Sequence, residues 1–353
     1  MSDLATSAAP ESAPDRTFGA ASRAWSGRLL RWEAGLVVVL LAVLVFGSVQ
    51  SATFMTSATL FFMGINIGFI AIMALPMTLV VMTGEIDLSV ASMLGLSGAV
   101  VGELWHQGWG IWPAFAVAML VGVFGGLLNG FLVAHVGLPS IAVTIGTLTL
   151  YRGIALILLG SETIPGAGDR LFPQSLTKIG VQTAGGTNLS YSMVIFLLLA
   201  VIFAVVLHAT PVGRSMVAIG LQPEAAQFAG IRTKRIKIVL FVLSGFLSAF
   251  AGILLTLQNS SVSYSAGQGL ELNVVAIVLF GGVSIFGGRG TIGGVVLSVL
   301  IVGSLKMALT QMNVQAEVQN IITGLLLLLS VILPNGGEAL RRLRAASRRT
   351  RPR

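Results

Sequence analysis

The chain has 353 residues, 55% of them hydrophobic and only 10% charged, with a net charge of +8, 43 glycines and no cysteine. Soluble domains carry about 25% charge, so composition excludes an ordinary soluble enzyme and points to lipid as the solvent. Without cysteine there is no disulfide, thiolate chemistry or Cys-based metal site, and three scattered histidines make a zinc site improbable.

In chain order, residues 1–34 are rich in Ala, Ser and Pro, and the apolar run that follows is too long for a signal-peptide core. This predicts a disordered cytoplasmic tail without a signal peptide. A membrane helix needs about 20 mostly apolar residues. Windows of that size fall at 35–54, 58–83, 88–106, 111–135, 139–160, 190–208, 236–257, 271–287, 292–310 and 317–334. The third begins in the polar Glu85-Ile-Asp-Leu-Ser, and the eighth is short and Gly-rich. Either suits a broken or re-entrant helix, allowed where protein or a water cavity covers the backbone. The expected fold is an all-α polytopic membrane protein of about ten spans with both termini cytoplasmic. The expected membrane-embedded region runs over 35–335, with a cytoplasmic loop at 209–235, and a basic cytoplasmic tail follows at 336–353.

Charge sets the predicted orientation. Of the 21 Lys and Arg residues, 17 fall on the predicted inside segments, and Arg170 and Lys178 on outside loops. Arg152 and Lys306 lie within spans, each placed to snorkel or to pair with an acid. The bias follows the positive-inside rule and argues against nucleic acid as the partner of the basic residues. Both basic ends inside demand an even number of spans, and eight stays open beside ten.

Several polar groups fall at membrane depth. Glu85 and Asp87 are candidates for the solute pathway, since ionisable groups there usually line a cavity or path. Their i, i+2 spacing keeps them off one helical face, and Asp87 also reads as an N-cap for the next helix. Pro76 predicts a kink before them. Asn129 lies within Gly125-Gly-Leu-Leu-Asn-Gly130 and suits either an interhelical bond or a ligand. The segment from Gln258 and Asn259 to Asn273 is polar and nearly uncharged, a composition that suits a hydroxylated solute or a plain outer loop. The Gly-rich 281–294 run suits close helix packing or a tight turn around Arg289. The loop at about 161–189 is either a connector or a docking surface for a periplasmic binding protein. No Gly-x-x-x-x-Gly-Lys-[Ser/Thr] occurs, so the chain has no Walker ATPase motif.

The basic loop has the punctuation of a short helix: Pro223 at the first turn, Glu224 beside it, then Ala225 and Ala226, and Gly230 at the end. About two turns are too short to stand alone in water. Gly213-Arg-Ser-Met-Val-Ala-Ile-Gly-Leu-Gln-Pro-Glu-Ala-Ala-Gln-Phe-Ala-Gly-Ile231 resembles the coupling-loop signature of the ribose-type sugar ABC importer permeases, the inner-membrane components of binding-protein-dependent transport. Glu85-Ile-Asp-Leu-Ser-Val-Ala-Ser92, Leu138-Pro-Ser-Ile-Ala-Val-Thr-Ile-Gly-Thr-Leu-Thr-Leu-Tyr-Arg-Gly153 and Val278-Leu-Phe-Gly-Gly-Val-Ser-Ile-Phe-Gly-Gly-Arg-Gly-Thr-Ile-Gly-Gly294 carry the same resemblance, in the same order. The pattern is most similar to permeases for rhamnose or the autoinducer-2 furanose, although the family often has another residue where this chain has Glu85.

The resemblance implies a non-enzymatic subunit in the bacterial inner membrane that moves a monosaccharide-like solute by alternating access. It implies a cytoplasmic ATPase touching Gln222, Pro223, Glu224, Ala225, Ala226 and Gly230. It also implies a periplasmic sugar-binding protein and a second permease copy or paralogue. No cofactor is expected on this chain, and ATP with Mg belongs to the ATPase. The alternative is an ion-coupled secondary transporter using Glu85, Asp87 or Lys306.

Overall fold

In lipid every backbone N–H and C=O must be paired within the protein, so apolar runs of this length fold as helices. The computed structural model describes residues 16–165, 170–326, 328 and 329. The elements are α1 (Arg16–Gln50), α2 (Ser57–Met82), α3 (Val90–His106), α4 (Ile111–Phe131), a π-helical turn (Leu132–Val136) and α5 (Ser140–Leu159). There follow β1 (Thr163–Ile164), α6 (Gln174–Gly180), α7 (Tyr191–Ala209), α8 (Pro211–Leu221), α9 (Pro223–Phe228) and α10 (Thr233–Asn259). The series ends with β2 (Val262–Ser263), α11 (Leu270–Phe280) and α12 (Ile292–Gln311), and residues 316–326 are again helical.

Among the described residues seven helices are long and apolar enough to cross a membrane, six of them α2, α4, α5, α7, α10 and α12, and the seventh the Trp32–Gln50 part of α1. Helical backbone therefore covers residues 16–34 as well, within the stretch expected as a tail. Arg, Ala and Leu dominate there and are strong helix formers. The first 15 residues and the expected tail at 336–353 lie outside the described residues, as does the end of the tenth expected span.

α2 forms the axis of the bundle. It is apolar on every side and buried almost throughout, as such a helix must be. Thr56 caps it by accepting the Thr59 N–H, and Pro76 lies inside it. Around it α10 packs on α2, α3 and α4. The α4–α10 seam is built on glycine: a Cβ at Gly126 would lie 2.3 Å from the Phe241 carbonyl oxygen, and one at Gly122 would lie 2.6 Å from that of Gly245. In lipid such close approach, rather than a hydrophobic force, holds helices together.

The two least regular spans are short. α3 has 17 residues, about 26 Å at 1.5 Å per residue, and follows a non-helical stretch at Gly84–Ser89. The span expected at 271–287 is α11, an 11-residue helix ending at Phe280. Gly281 and Gly282 end it, the latter at φ +88°, and Gly287, Gly288 and Gly290 also hold positive φ. The apolar Val283 and Ile285 continue the hydrophobic pattern past the point where backbone geometry stops the helix.

Element ends gather at two poles. At the basic pole Gly288 N–H donates to the Met82 carbonyl (2.8 Å), Ile86 N–H to Ser140 Oγ (3.1 Å), and Lys237 pairs with Glu85. At the opposite pole Trp105 Nε1 donates to the Arg170 carbonyl (2.8 Å), the Arg170 guanidinium lies 3.4 Å over the Trp105 ring, and β1 pairs antiparallel with β2 through Thr163–Ser263 and Ile164–Val262.

Candidate solute path and coupling surface

The basic loop is a pair of short helices. Thr210 Oγ1 accepts the Gly213 N–H at the start of α8, and Pro211 occupies its first turn. Gln222 is extended and breaks the helix before Pro223 restarts it as α9. Gly230, at φ +84°, closes α9: its N–H donates to the Gln227 carbonyl (3.0 Å) and that of Ile231 to Ala226 (3.1 Å). This is the glycine-terminated helix end that the sequence predicts.

α8 is fixed to the bundle. Met216 and Ile219 are buried, and Gly220 packs so closely that a Cβ would lie 2.0 Å from the Met82 carbonyl oxygen and 2.2 Å from Gly288 N. α9 projects instead. Gln222, Pro223, Glu224, Ala225 and Gly230 are exposed. Ala226, expected among the contact residues, is 3% exposed, because its methyl turns under the loop; it supports the surface and does not form it. Phe228 is 92% exposed, and Phe286, on the 281–291 loop at the same pole, is also exposed. Neither phenylalanine stood out in the sequence, where apolar side chains are the rule.

The α2–α3 break divides its two acids. Gly84, at φ +82°, turns the chain. Glu85 faces the basic pole and forms an ion pair with Lys237 on α10, a pairing across 152 residues that no local pattern signals. Asp87 points inward and is 1% exposed. Its Oδ1 accepts Ser89 N–H (3.0 Å) and Ser89 Oγ–H (2.6 Å), and Oδ2 accepts Ser244 Oγ–H (2.7 Å). Asn129 Nδ2 donates to Ser89 Oγ (2.8 Å), while its buried Oδ1 has no partner among the described residues. Asp87 is thus not the N-cap of α3. Ser89 holds that position, and Asp87, two residues earlier, ties α3 to α10. Buried carboxylates need such partners.

The polar stretch after α10 folds back against α3. Ser260 reverses the chain at φ 52°, β2 pairs with β1, and the following turn lies beside Ala91 and Gly95: a Cβ at Gly95 would lie 2.7 Å from the Ala266 carbonyl oxygen. Arg152 forms no ion pair with a carboxylate among the described residues. Its Nη1 donates to the carbonyls of Tyr264 (3.2 Å) and Ala266 (2.6 Å), supplying donors to backbone that no helix satisfies. A cavity of about 320 Å³ lies between α3, the end of α10 and this turn. Of Gln258, Asn259 and Asn273, only Asn259 is on its wall; Gln258 packs beside Gly180, and Asn273 is buried in the first turn of α11. Lys306 on α12 is half-buried, and no ion pair joins it to a carboxylate among the described residues.

α3 and α11 open with related sequences, Asp87-Leu-Ser-Val-Ala and Glu271-Leu-Asn-Val-Val. Each follows a long helix and a non-helical break, and they run in opposite directions between the poles.

Comparison with known proteins agrees with this architecture. A family described as branched-chain amino acid transport system / permease component matches residues 59–331. The chain is similar to the autoinducer 2 import system permease protein LsrD of Klebsiella pneumoniae, with 33% identity over 86% of this chain and 91% of that protein. It is also similar to the L-arabinose ABC transporter permease protein AraH of Azospirillum brasilense, with 33% identity over 85% of this chain and 86% of that one. The fructose import permease protein FrcC of Rhizobium meliloti shares 32% identity over 84% and 83%. No solved structure matches the chain. Together with the apolar helices, these matches show that the chain belongs to the branched-chain amino acid transport system / permease component family, as a membrane-embedded permease of an ABC importer.

Proposed function

We propose that the chain conducts an uncharged monosaccharide-like solute across the bacterial inner membrane, driven by a separate ATPase that docks on α9. The three relatives named above are permeases for autoinducer 2, arabinose and fructose, which favours a sugar-like solute over the amino acids in the family description. In this reading the basic pole is cytoplasmic, the 161–189 loop faces a periplasmic binding protein, and two permease chains form the pore. ATP and Mg bind the ATPase, not this chain.

The observation that carries the coupling role is the contrast between the two short helices. α8 is locked to α2 and the 281–291 loop through Gly220, whereas α9 presents Glu224 and the exposed Phe228 to a partner. An apolar aromatic on a polar surface is a frequent anchor of protein interfaces. Motion delivered to α9 thus enters the bundle at Met82 and Gly288.

Glu224→Ala and Gly230→Leu test this in proteoliposomes holding the permease, its ATPase and its binding protein. Both variants should insert normally, lose most uptake and leave ATP hydrolysis poorly stimulated by loaded binding protein. Gly230→Leu adds a strain of about 1–2 kcal/mol at its positive φ. Normal uptake in both variants at wild-type expression refutes α9 as the coupling element.

A further inference from the structure

The cavity beside the turn after β2 has walls that mix polar and apolar groups. Thr256, Asn259 and Ser263 bring hydroxyl and carboxamide groups, Leu94 and Val262 bring apolar surface, and none of the described lining residues is charged. Its volume of about 320 Å³ is at the low end of the ~300–1,000 Å³ typical of small-molecule pockets. The space is shaped by glycine: a Cβ at Gly98 would lie 2.9 Å from Thr256 Oγ1 and 3.0 Å from Val262 Cγ2, and one at Gly267 would lie 2.8 Å from Leu94 Cδ2.

We propose that this cavity is a solute-holding site within each permease chain, for an uncharged polyhydroxylated solute of monosaccharide size. The inference rests on the importer reading above and adds where the solute sits and why charge excludes others. Thr256 Oγ1 already donates to the Gly252 carbonyl (2.9 Å), so it faces the cavity with free lone pairs. Asn259 offers both donors and an acceptor, and Ser263 shares its hydroxyl with Ser265 (2.9 Å). Mixed groups of this kind match sugar hydroxyls, which donate and accept. A zwitterionic amino acid would bring its charges into a site with no charged side chain among its described lining residues. The nearby Arg152 guanidinium is not on the lining; its Nη1 is engaged by the carbonyls of Tyr264 and Ala266. Arg152 is a positioning residue: it fixes the turn that forms one wall. The β1–β2 pair joins the same wall to the outer loop, so a protein docking on that loop would act directly on the cavity.

The chain has no cysteine, so single cysteines report without background. In proteoliposomes with ATPase and binding protein, uptake of labelled D-ribose, L-arabinose and D-fructose is compared with that of L-leucine and D-glucuronate. Asn259→Cys and Ser263→Cys are then labelled with a methanethiosulfonate reagent, with and without the transported sugar on the binding protein, and Gln182→Cys on the exposed outer loop serves as control. The expected result is sugar uptake, labelling at positions 259 and 263 slowed about tenfold by the sugar, and unchanged labelling at position 182. Thr256→Val should raise the KM for uptake by roughly two- to tenfold, the loss of one hydrogen bond, at unchanged maximal rate. Sugar uptake with undiminished labelling at both cysteines and an unchanged KM in Thr256→Val overturns the site. Uptake of leucine or glucuronate in place of the sugars overturns the solute class and leaves the importer reading intact. Absence of any ATP-dependent uptake overturns the importer reading and this inference with it.

Discussion

Gly220→Ala adds one methyl group at the tightest junction of the basic pole. On the present backbone that carbon would lie 2.0 Å from the Met82 carbonyl oxygen and 2.2 Å from Gly288 N. Both obstacles are main-chain atoms, and they are joined by the 2.8 Å Gly288-to-Met82 hydrogen bond, so neither swings aside as a side chain would. Overpacking of this kind costs about 1–3 kcal/mol, and loss of the hydrogen bond adds roughly 0.5–1.5 kcal/mol. Alanine's helix propensity returns about 1 kcal/mol. The net expected loss is about 1–3 kcal/mol, together with displacement of α8 from α2. Two further alanines calibrate the measurement. Gly146 on α5 faces open space at helical φ, where Gly→Ala gains roughly 0.5–1 kcal/mol. Gly230 also faces open space but holds φ +84°, which costs about 1 kcal/mol in strain alone. Unfolding of the purified permease in mixed micelles should therefore rank Gly146→Ala at or above wild type, Gly230→Ala below it and Gly220→Ala lowest, with uptake most reduced in Gly220→Ala. A Gly220→Ala protein as stable and active as Gly146→Ala would refute the claim that backbone contact at this junction fixes α8.

Asp87→Ala removes the acceptor of three hydrogen bonds from Ser89 and Ser244; unfolding in mixed micelles should show a loss of about 3 kcal/mol or more from buried donors left unpaired, and Asp87→Asn a smaller one. Arg152→Met leaves the carbonyls of Tyr264 and Ala266 without their donor; maximal uptake should fall several-fold, with Arg152→Lys intermediate, since an ammonium lacks the planar fork. For Glu85→Gln and Lys237→Met, a double-mutant cycle should give a coupling of about 0.5–3 kcal/mol. The reversed pair Glu85→Lys with Lys237→Glu should recover part of the loss, and additive single effects would show that the pair is incidental.

The long helices were legible because a membrane span needs an apolar run of about 20 residues, and the runs at α2, α4, α5, α7, α10 and α12 meet that need. α9 was legible for a different reason: Pro223, Glu224 and Gly230 are local signals, each read without knowing what lies across the fold. The end of α11 was not legible, since Val283 and Ile285 extend its apolar pattern while the positive φ of Gly282 stops it. The partners of Glu85, Asp87 and Arg152 were hidden because they lie 152, 157 and 112–114 residues away. Asp87 illustrates the limit most plainly. Its place before an apolar run reads as a helix cap, yet the fold directs one oxygen to Ser244 on another helix, and only tertiary packing chooses between the two.

α10 joins these features physically. It is 27 residues long, about 40 Å at 1.5 Å per residue. Its first turns carry Lys237, paired with the break that follows α2. Further along, Ser244 holds Asp87 at the base of α3, and its last turn places Thr256 and Asn259 on the cavity wall. α8 meets the same break from the other side, through Gly220, Met82 and Gly288. From α8 to the cavity, the contacts are backbone against backbone or buried polar pairs, except at the partly exposed Lys237–Glu85 ion pair. Close-packed interiors transmit displacement more than they absorb it. A shift of α8 of even one ångström must therefore move the α2–α3 break, α10, or both, and α10 cannot tilt at one end without changing the width of the cavity at the other.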